Sequence, residues 1–371
     1  MDKSSSKDYT YWDYLKLDQL LNLQNGFNSE EKDISTDELH FIIVHQTLEL
    51  WFKLIISDLM DIRNSFNMDF VPETTIPVVV EKLKRINQIF RLASNHFDVL
   101  ETLLPQNFLE FRNKLGTASG FQSVQIREIE ILIGLQDIER VSLGGSNAIE
   151  HIKKASSISE AGKRAWNRIE AIKEETTLKD AVYEWLFRTP IYGSSPNDKN
   201  DFKIVNQFIS NYLESYNSLL DEQLAKLEAT GIDDNETLKK RIESSKDQIF
   251  KFLNAENIKN DSREKIKRIR SAILFIESYR DLPLLAWPRL VLDLIIELEE
   301  LFIIFRHRHA RMVERMIGKR VGTGGSAGVD YLDKTTKYRI FTDLWSVRTA
   351  LLPKYILTQP KNDRFYQFVN K

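Results

Sequence analysis

Leu290-Val-Leu-Asp-Leu-Ile-Ile-Glu-Leu-Glu-Glu-Leu-Phe-Ile-Ile-Phe305 runs directly into Arg306-His-Arg-His309 and stops near Gly318. Its apolar residues recur at three and four, which is the period of one helix face. Asp293, Glu297, Glu299 and Glu300 break the run, so it reads as a core helix and not as a membrane span. Next comes Gly322-Thr-Gly-Gly-Ser-Ala-Gly328, a glycine-rich loop. It lacks the Gly-Lys-Ser/Thr ending of a phosphate loop and follows a helix, so neither a nucleotide nor a dinucleotide fingerprint fits. Such a loop is either a flexible connector or backbone able to approach a ligand closely.

Working outward, the same period recurs and alternating strand-like runs are scarce. Ser35-Thr-Asp-Glu38 reads as a capping box opening a helix to about Arg63. A second helix is expected from about Ile76 to Leu104, stopped by Pro105, and a third from near Ser119 through Gly134. Shorter ones are expected at about Lys163–Glu175 and Asp180–Phe187, then a turn-rich connector from Thr189 to Asn197. Lys and Glu dominate from about Phe202 to Tyr279, and Leu282-Pro-Leu-Leu-Ala-Trp-Pro288 restarts the core. The expectation is an all-α, multi-helix bundle with a charged helical insertion. Residues 1–200 and 280–371 would form the core and 201–279 the insertion subdomain.

Composition narrows the chemistry. The 371 residues include no Cys, which excludes disulfides, zinc thiolates, iron–sulfur clusters and cysteine nucleophiles. A formal net charge of -2 gives no electrostatic case for nucleic acid or an anionic membrane. The start, Met1-Asp-Lys-Ser-Ser-Ser-Lys7, is polar and has no signal-like apolar segment, so a cytoplasmic protein is expected.

Six histidines serve the whole chain, and two stand in apolar stripes. His309 shares a face with Phe302, Phe305, Met312, Val313 and Met316. It is either a core histidine bonded to a carbonyl or a ligand. His307 lies roughly 200° around the helix, so the two cannot chelate one ion. That geometry favours a single protein ligand, as at a haem, over a zinc or non-haem iron site. His45 shares its face with Phe41, Leu48 and Phe52, and Glu49 could orient it. It is either a satisfied core residue or a polar handle in an aromatic pocket, able to accept a substrate N–H. Arg127 interrupts the stripe Val124, Ile131, Leu135 and needs an anion. Glu128 and Glu130 are available, although residues so close on a helix are expected to share the face poorly. The alternative is a substrate carboxylate. Tyr9, Tyr11, Trp12 and Tyr14 form an N-terminal aromatic cluster that could dock on the core or on a neighbouring subunit.

Four motifs, in order, resemble the tryptophan 2,3-dioxygenase family: Tyr11-Trp-Asp-Tyr-Leu-Lys-Leu-Asp18, Asp37-Glu-Leu-His-Phe-Ile-Ile-Val-His-Gln-Thr-Leu-Glu-Leu-Trp-Phe-Lys53, Ser119-Gly-Phe-Gln-Ser-Val-Gln-Ile-Arg-Glu-Ile-Glu130, and Arg308-His-Ala-Arg-Met-Val-Glu-Arg-Met-Ile-Gly318 with the glycine loop. The resemblance covers nearly the whole chain. It implies a homotetrameric haem b enzyme that opens the indole ring of L-tryptophan with O2 to give N-formylkynurenine. By position it implies His309 as the proximal iron ligand and His45 as the distal histidine near the indole N–H. Arg127 would hold the substrate carboxylate, Thr323 its ammonium or carboxylate end, and Phe41 a pocket wall. Tyr11, Tyr14 and Leu15 would complete a neighbouring subunit's pocket.

The match is not uniform. Ala327 stands where many members of the family have a second Ser, and Lys354-Tyr-Ile-Leu357 replaces an Arg-His-Trp type run. Both changes bear on substrate preference more than on haem binding. A haem oxygenase acting on a substituted indole, or a haem sensor, is the alternative that these changes leave open.

Overall fold

The computed structural model describes residues 9–26, 34–116, 118, 120–141, 148–229, 235–259, 261–320, 322 and 328–367. Among them there is no strand, only an isolated bridge between Ile191 and Ser194, so the fold is all-α as expected. In chain order the helices are α1 (Tyr11–Leu15), α2 (Leu17–Leu20), α3 (Thr36–Phe66), α4 (Thr75–Leu100), α5 (Pro105–Arg112), α6 (Val124–Ile133), α7 (Ala148–Ala155) and α8 (Glu160–Lys173). Then follow α9 (Leu178–Arg188), α10 (Asp201–Ala229), α11 (Asn235–Leu253), α12 (Arg263–Ser278), α13 (Ala286–Ile317), α14 (Val329–Thr335) and α15 (Thr342–Ala350).

The core is built on α13 and α3, which both pack along α4 and meet where Phe52 contacts Phe305, with α6 across α3. The stripe read from sequence is the buried face: Leu294, Leu298, Leu301, Phe302, Phe305, Met312 and Met316 all turn inward. Each such side chain contributes ~1.5–3 kcal/mol by leaving water. Asn87 of α4 pins the pair, donating to the Leu294 carbonyl at 3.1 Å and to Glu297 at 2.7 Å. Behind α13, the buried carboxylate of Glu299 accepts from the backbone N–H groups of Ile340 and Phe341 and from the Trp345 indole, which fastens α15 to the core.

α3 alone among the described helices has the length and hydropathy of a membrane span. It packs along α4, α6 and α9, and its buried Asp58 bonds Arg85 at 2.6 and 2.7 Å and Lys82 at 3.1 Å. Those are the contacts of a core helix.

Several ends differ from expectation. Ser35 caps α3 by accepting from the Glu38 N–H at 3.1 Å, but the Glu38 carboxylate goes to Lys114 at 2.9 Å, so only half of the capping box forms. Pro105 ends nothing; it opens α5 at its first turn, where its missing N–H costs no bond. α6 neither starts near Ser119 nor passes through Gly134. Ser123 caps it, and Gly134, at φ 118°, ends it. A Cβ there would also lie 2.9 Å from Cβ of Lys179. The charged region is three helices, of which α12 is buried against α9 and α15 while α11 carries exposed ion pairs.

Candidate active site

Phe305 and His309 are one turn apart on α13, and Phe97 of α4 packs against both. The imidazole of His309 lies nearly parallel to the Phe97 ring, 9° between planes and 5.7 Å between centroids. Neither of its nitrogens has a hydrogen-bond partner among the described residues, so the reading of a carbonyl-bonded core histidine does not hold for it. Burial, then the fields of His45 and Arg127, push its pKa down to about 4. The ring is therefore neutral near pH 7, with a lone pair to give.

Helix contacts bring three sequence candidates together. Phe52 of α3 packs on Phe305 of α13, one turn from His309, while Glu130 joins Arg127 of α6 to Arg306 of α13, and the charges of His45 and Arg127 act on the His309 imidazole. His307 is exposed on another face of α13, as the helix period requires.

His45 donates from Nδ1 to the Phe41 carbonyl at 2.7 Å. A carbonyl only accepts, so Nδ1 carries the proton and Nε2 the lone pair. The Phe41 ring sits 4.1 Å from the imidazole and packs on Phe108 and Phe111, forming one aromatic wall. Burial lowers the His45 pKa, with the Phe41 bond and Glu49 opposing it more weakly. Glu49 does not orient the ring by a hydrogen bond as expected. Its oxygens accept from Ser123 Oγ at 2.6 Å and Gln125 Nε2 at 2.7 Å, which ties α3 to the start of α6.

Arg127 corrects an expectation as well. It does share a face with Glu130: Nη1 donates to both carboxylate oxygens, at 3.0 and 2.9 Å. The opposite edge of the guanidinium, Nε with Nη2, makes no bond among the described residues, and Nε is shut away from solvent. That edge is the two-donor fork that a carboxylate fits. A structural partner and an open fork thus coexist on one side chain.

The arm is a different matter. Tyr11, Tyr14 and Leu15 are exposed, at 67%, 78% and 42%, and do not join this chain's own cluster. The arm's root is tied to α3 beside His45: Gln24 donates to Gln46 at 2.7 Å, and Gln46 to the Leu23 carbonyl at 2.9 Å. Thr323 lies outside the described residues.

Residues that sequence reading missed are Arg140 and Arg306, which also converge on Glu130. The Arg127–Glu130 spacing was a usable signal; the other two arrive from distant segments.

The donor set suits a haem. One neutral, unbonded imidazole stands among Phe97, Phe305 and Met312, and such a ring suits a cofactor that brings its own nitrogens to the iron. Among the described residues no group of three His, Asp or Glu side chains could hold a metal.

The family profile described as tryptophan 2,3-dioxygenase matches residues 1–351. A protein named tryptophan 2,3-dioxygenase from Sorangium cellulosum is 43% identical over 375 residues, covering 98% of this chain and 88% of that protein. Tryptophan 2,3-dioxygenase 2 from Ralstonia nicotianae is also 43% identical, covering 98% of this chain and 99% of its own length. The Dictyostelium discoideum protein named tryptophan 2,3-dioxygenase is 35% identical, covering 96% and 87%. With a profile spanning nearly the whole chain and relatives matched along almost all of their length, this chain belongs to the tryptophan 2,3-dioxygenase family.

Proposed function

We propose that this chain opens the indole ring of L-tryptophan with O2 to give N-formylkynurenine, on a haem b whose iron is held by His309. The single observation that carries the reading is that contacts among α3, α6 and α13 gather His45, Arg127 and His309, each with a donor or acceptor unused among the described residues. The family membership supports the same reaction. Haem, when bound, supplies the activation of O2. The C2–C3 bond of the indole breaks and each carbon gains a C=O, so both oxygen atoms stay in the product and no external reductant is consumed.

The residues of the chain bind and orient. Nε2 of His45 accepts the indole N–H, and the Phe41 wall flanks the ring. The Nε–Nη2 edge of Arg127 takes the carboxylate. Thr323 is assigned the ammonium or carboxylate end by its place in the matched motif. Holding the reacting carbons in place removes much of the entropy cost of the encounter.

The proposal extends to a cytoplasmic homotetramer in which Tyr11, Tyr14 and Leu15 close a neighbour's pocket. Their exposure on an arm rooted beside His45 supports it. Residues 201–279 are proposed as the charged subdomain, with α12 as its inner wall against a core of 1–200 and 280–371. The test is turnover of L-tryptophan under labelled O2. Two labelled atoms per N-formylkynurenine support the proposal. One labelled atom indicates a monooxygenase, and no product at all from haem-loaded protein indicates a sensor.

A further inference from the structure

Three guanidiniums meet one buried carboxylate behind the proposed clamp. Glu130 takes Arg127 Nη1 on both oxygens, Arg140 Nη1 at 2.5 Å on Oε2, and Arg306 Nη2 at 2.9 Å on Oε1. Asp137 also bonds Arg140, but it is more than half exposed and is shared with Lys173. Three positive charges thus face one negative charge away from water.

The frame around Glu130 is stiff. Arg306 donates to the Thr335 carbonyl at 3.1 Å, and its guanidinium lies over the rings of Phe302 at 4.2 Å and Tyr338 at 4.6 Å. Arg306 is also one helical turn from His309 on α13. Burial works to raise the Glu130 pKa, but Arg127, Arg306 and Arg140 together outweigh it and keep the group ionised.

A cluster built for stability alone would balance its charges, because a buried surplus is costly. Here the surplus coincides with unused donors: Arg127 Nε and Arg140 Nη2 are buried without partners among the described residues. An arginine has a long, mobile stem, and its fork is useful only if its plane is fixed. Glu130 fixes it by taking the one nitrogen that the fork does not need.

We propose that Glu130 is a positioning residue for the substrate carboxylate: anchored by Arg140 and Arg306, it holds Arg127 with its Nε–Nη2 edge open, and it ties that edge to the helix bearing His309. The inference rests on Arg127 being the carboxylate clamp.

The test compares L-tryptophan with tryptamine, which lacks the carboxylate. Equilibrium binding to haem-loaded protein is followed by the ligand-induced change in haem absorption. Wild type is expected to prefer L-tryptophan. Glu130→Gln should weaken L-tryptophan about 10- to 100-fold, as loss of an outer-shell orienting residue does. It should leave tryptamine unchanged, and the kinetic loss should fall more on KM than on kcat. Equal weakening of both ligands means a merely structural role and overturns the proposal, as does unchanged preference for L-tryptophan. A wild type that binds both ligands equally removes the Arg127 reading itself. If Glu130→Gln does not fold, the double variant E130Q/R306M keeps the site's net charge and is judged by the same outcomes.

Discussion

The Phe41 carbonyl accepts the Nδ1 proton of His45 at 2.7 Å, and this one bond decides what His45 can do. With Nδ1 protonated, Nε2 is left with the lone pair that the proposed function gives to an indole N–H. Protonation of the ring removes that lone pair.

Burial holds the His45 pKa below its ordinary value. The neutral form binds, so L-tryptophan affinity should be flat above about pH 6.5 and fall only as pH drops through the lowered pKa. His45→Ala should bind more weakly and lose this pH dependence. Titration of both proteins with L-tryptophan across pH checks it; an unaltered profile in the variant contradicts the role.

Arg127→Ala should weaken L-tryptophan binding by roughly 2–5 kcal/mol, the range for truncating one partner of a buried charge pair. Fold stability should suffer less, since Glu130 keeps Arg140 and Arg306. Arg127→Lys should not restore binding, because an ammonium has no planar fork. Michaelis constants for the three proteins provide the check; an unchanged constant in either variant rejects the clamp.

Glu299 carries a stability prediction. Its carboxylate serves two buried backbone N–H groups and the Trp345 indole. Glu299→Ala orphans them, at about 1–3 kcal/mol for each buried group left unsatisfied. A urea midpoint unchanged from wild type would show that α15 is held by packing alone.

Gly134→Ala should also destabilise. Its positive φ favours glycine, and the new methyl meets Lys179 Cβ at 2.9 Å. A loss of about 1–3 kcal/mol in chemical denaturation is expected. An alanine variant as stable as wild type would mean that the α6 end relaxes freely.

That glycine also marks where sequence reading succeeded and where it failed. Long helices with a wide apolar stripe are legible: Ser35 caps the start of α3 and Gly318 the end of α13, because caps and period agree there. The apolar pattern alone makes α6 too long at both ends, although Ser123 and Gly134 carry the cap signals that set its true limits. His309, His45 and Arg127 stand out in the sequence because each is a polar group in a greasy stripe. The partners do not. That Glu49 serves Ser123 and Gln125, and that Arg306 reaches Glu130 from α13, depends on how distant helices cross, which local spacing does not encode.

Everything functional depends on the imidazole of His309 gripping iron. The most direct measurement is the absorption spectrum of haem-supplemented protein, with and without L-tryptophan, for wild type and His309→Ala. Wild type should show a Soret band that shifts with tryptophan. The variant should lose haem or show an altered band, and free imidazole should restore the wild-type spectrum. A variant that retains both the wild-type band and its tryptophan shift would contradict the assignment of position 309 as the iron ligand.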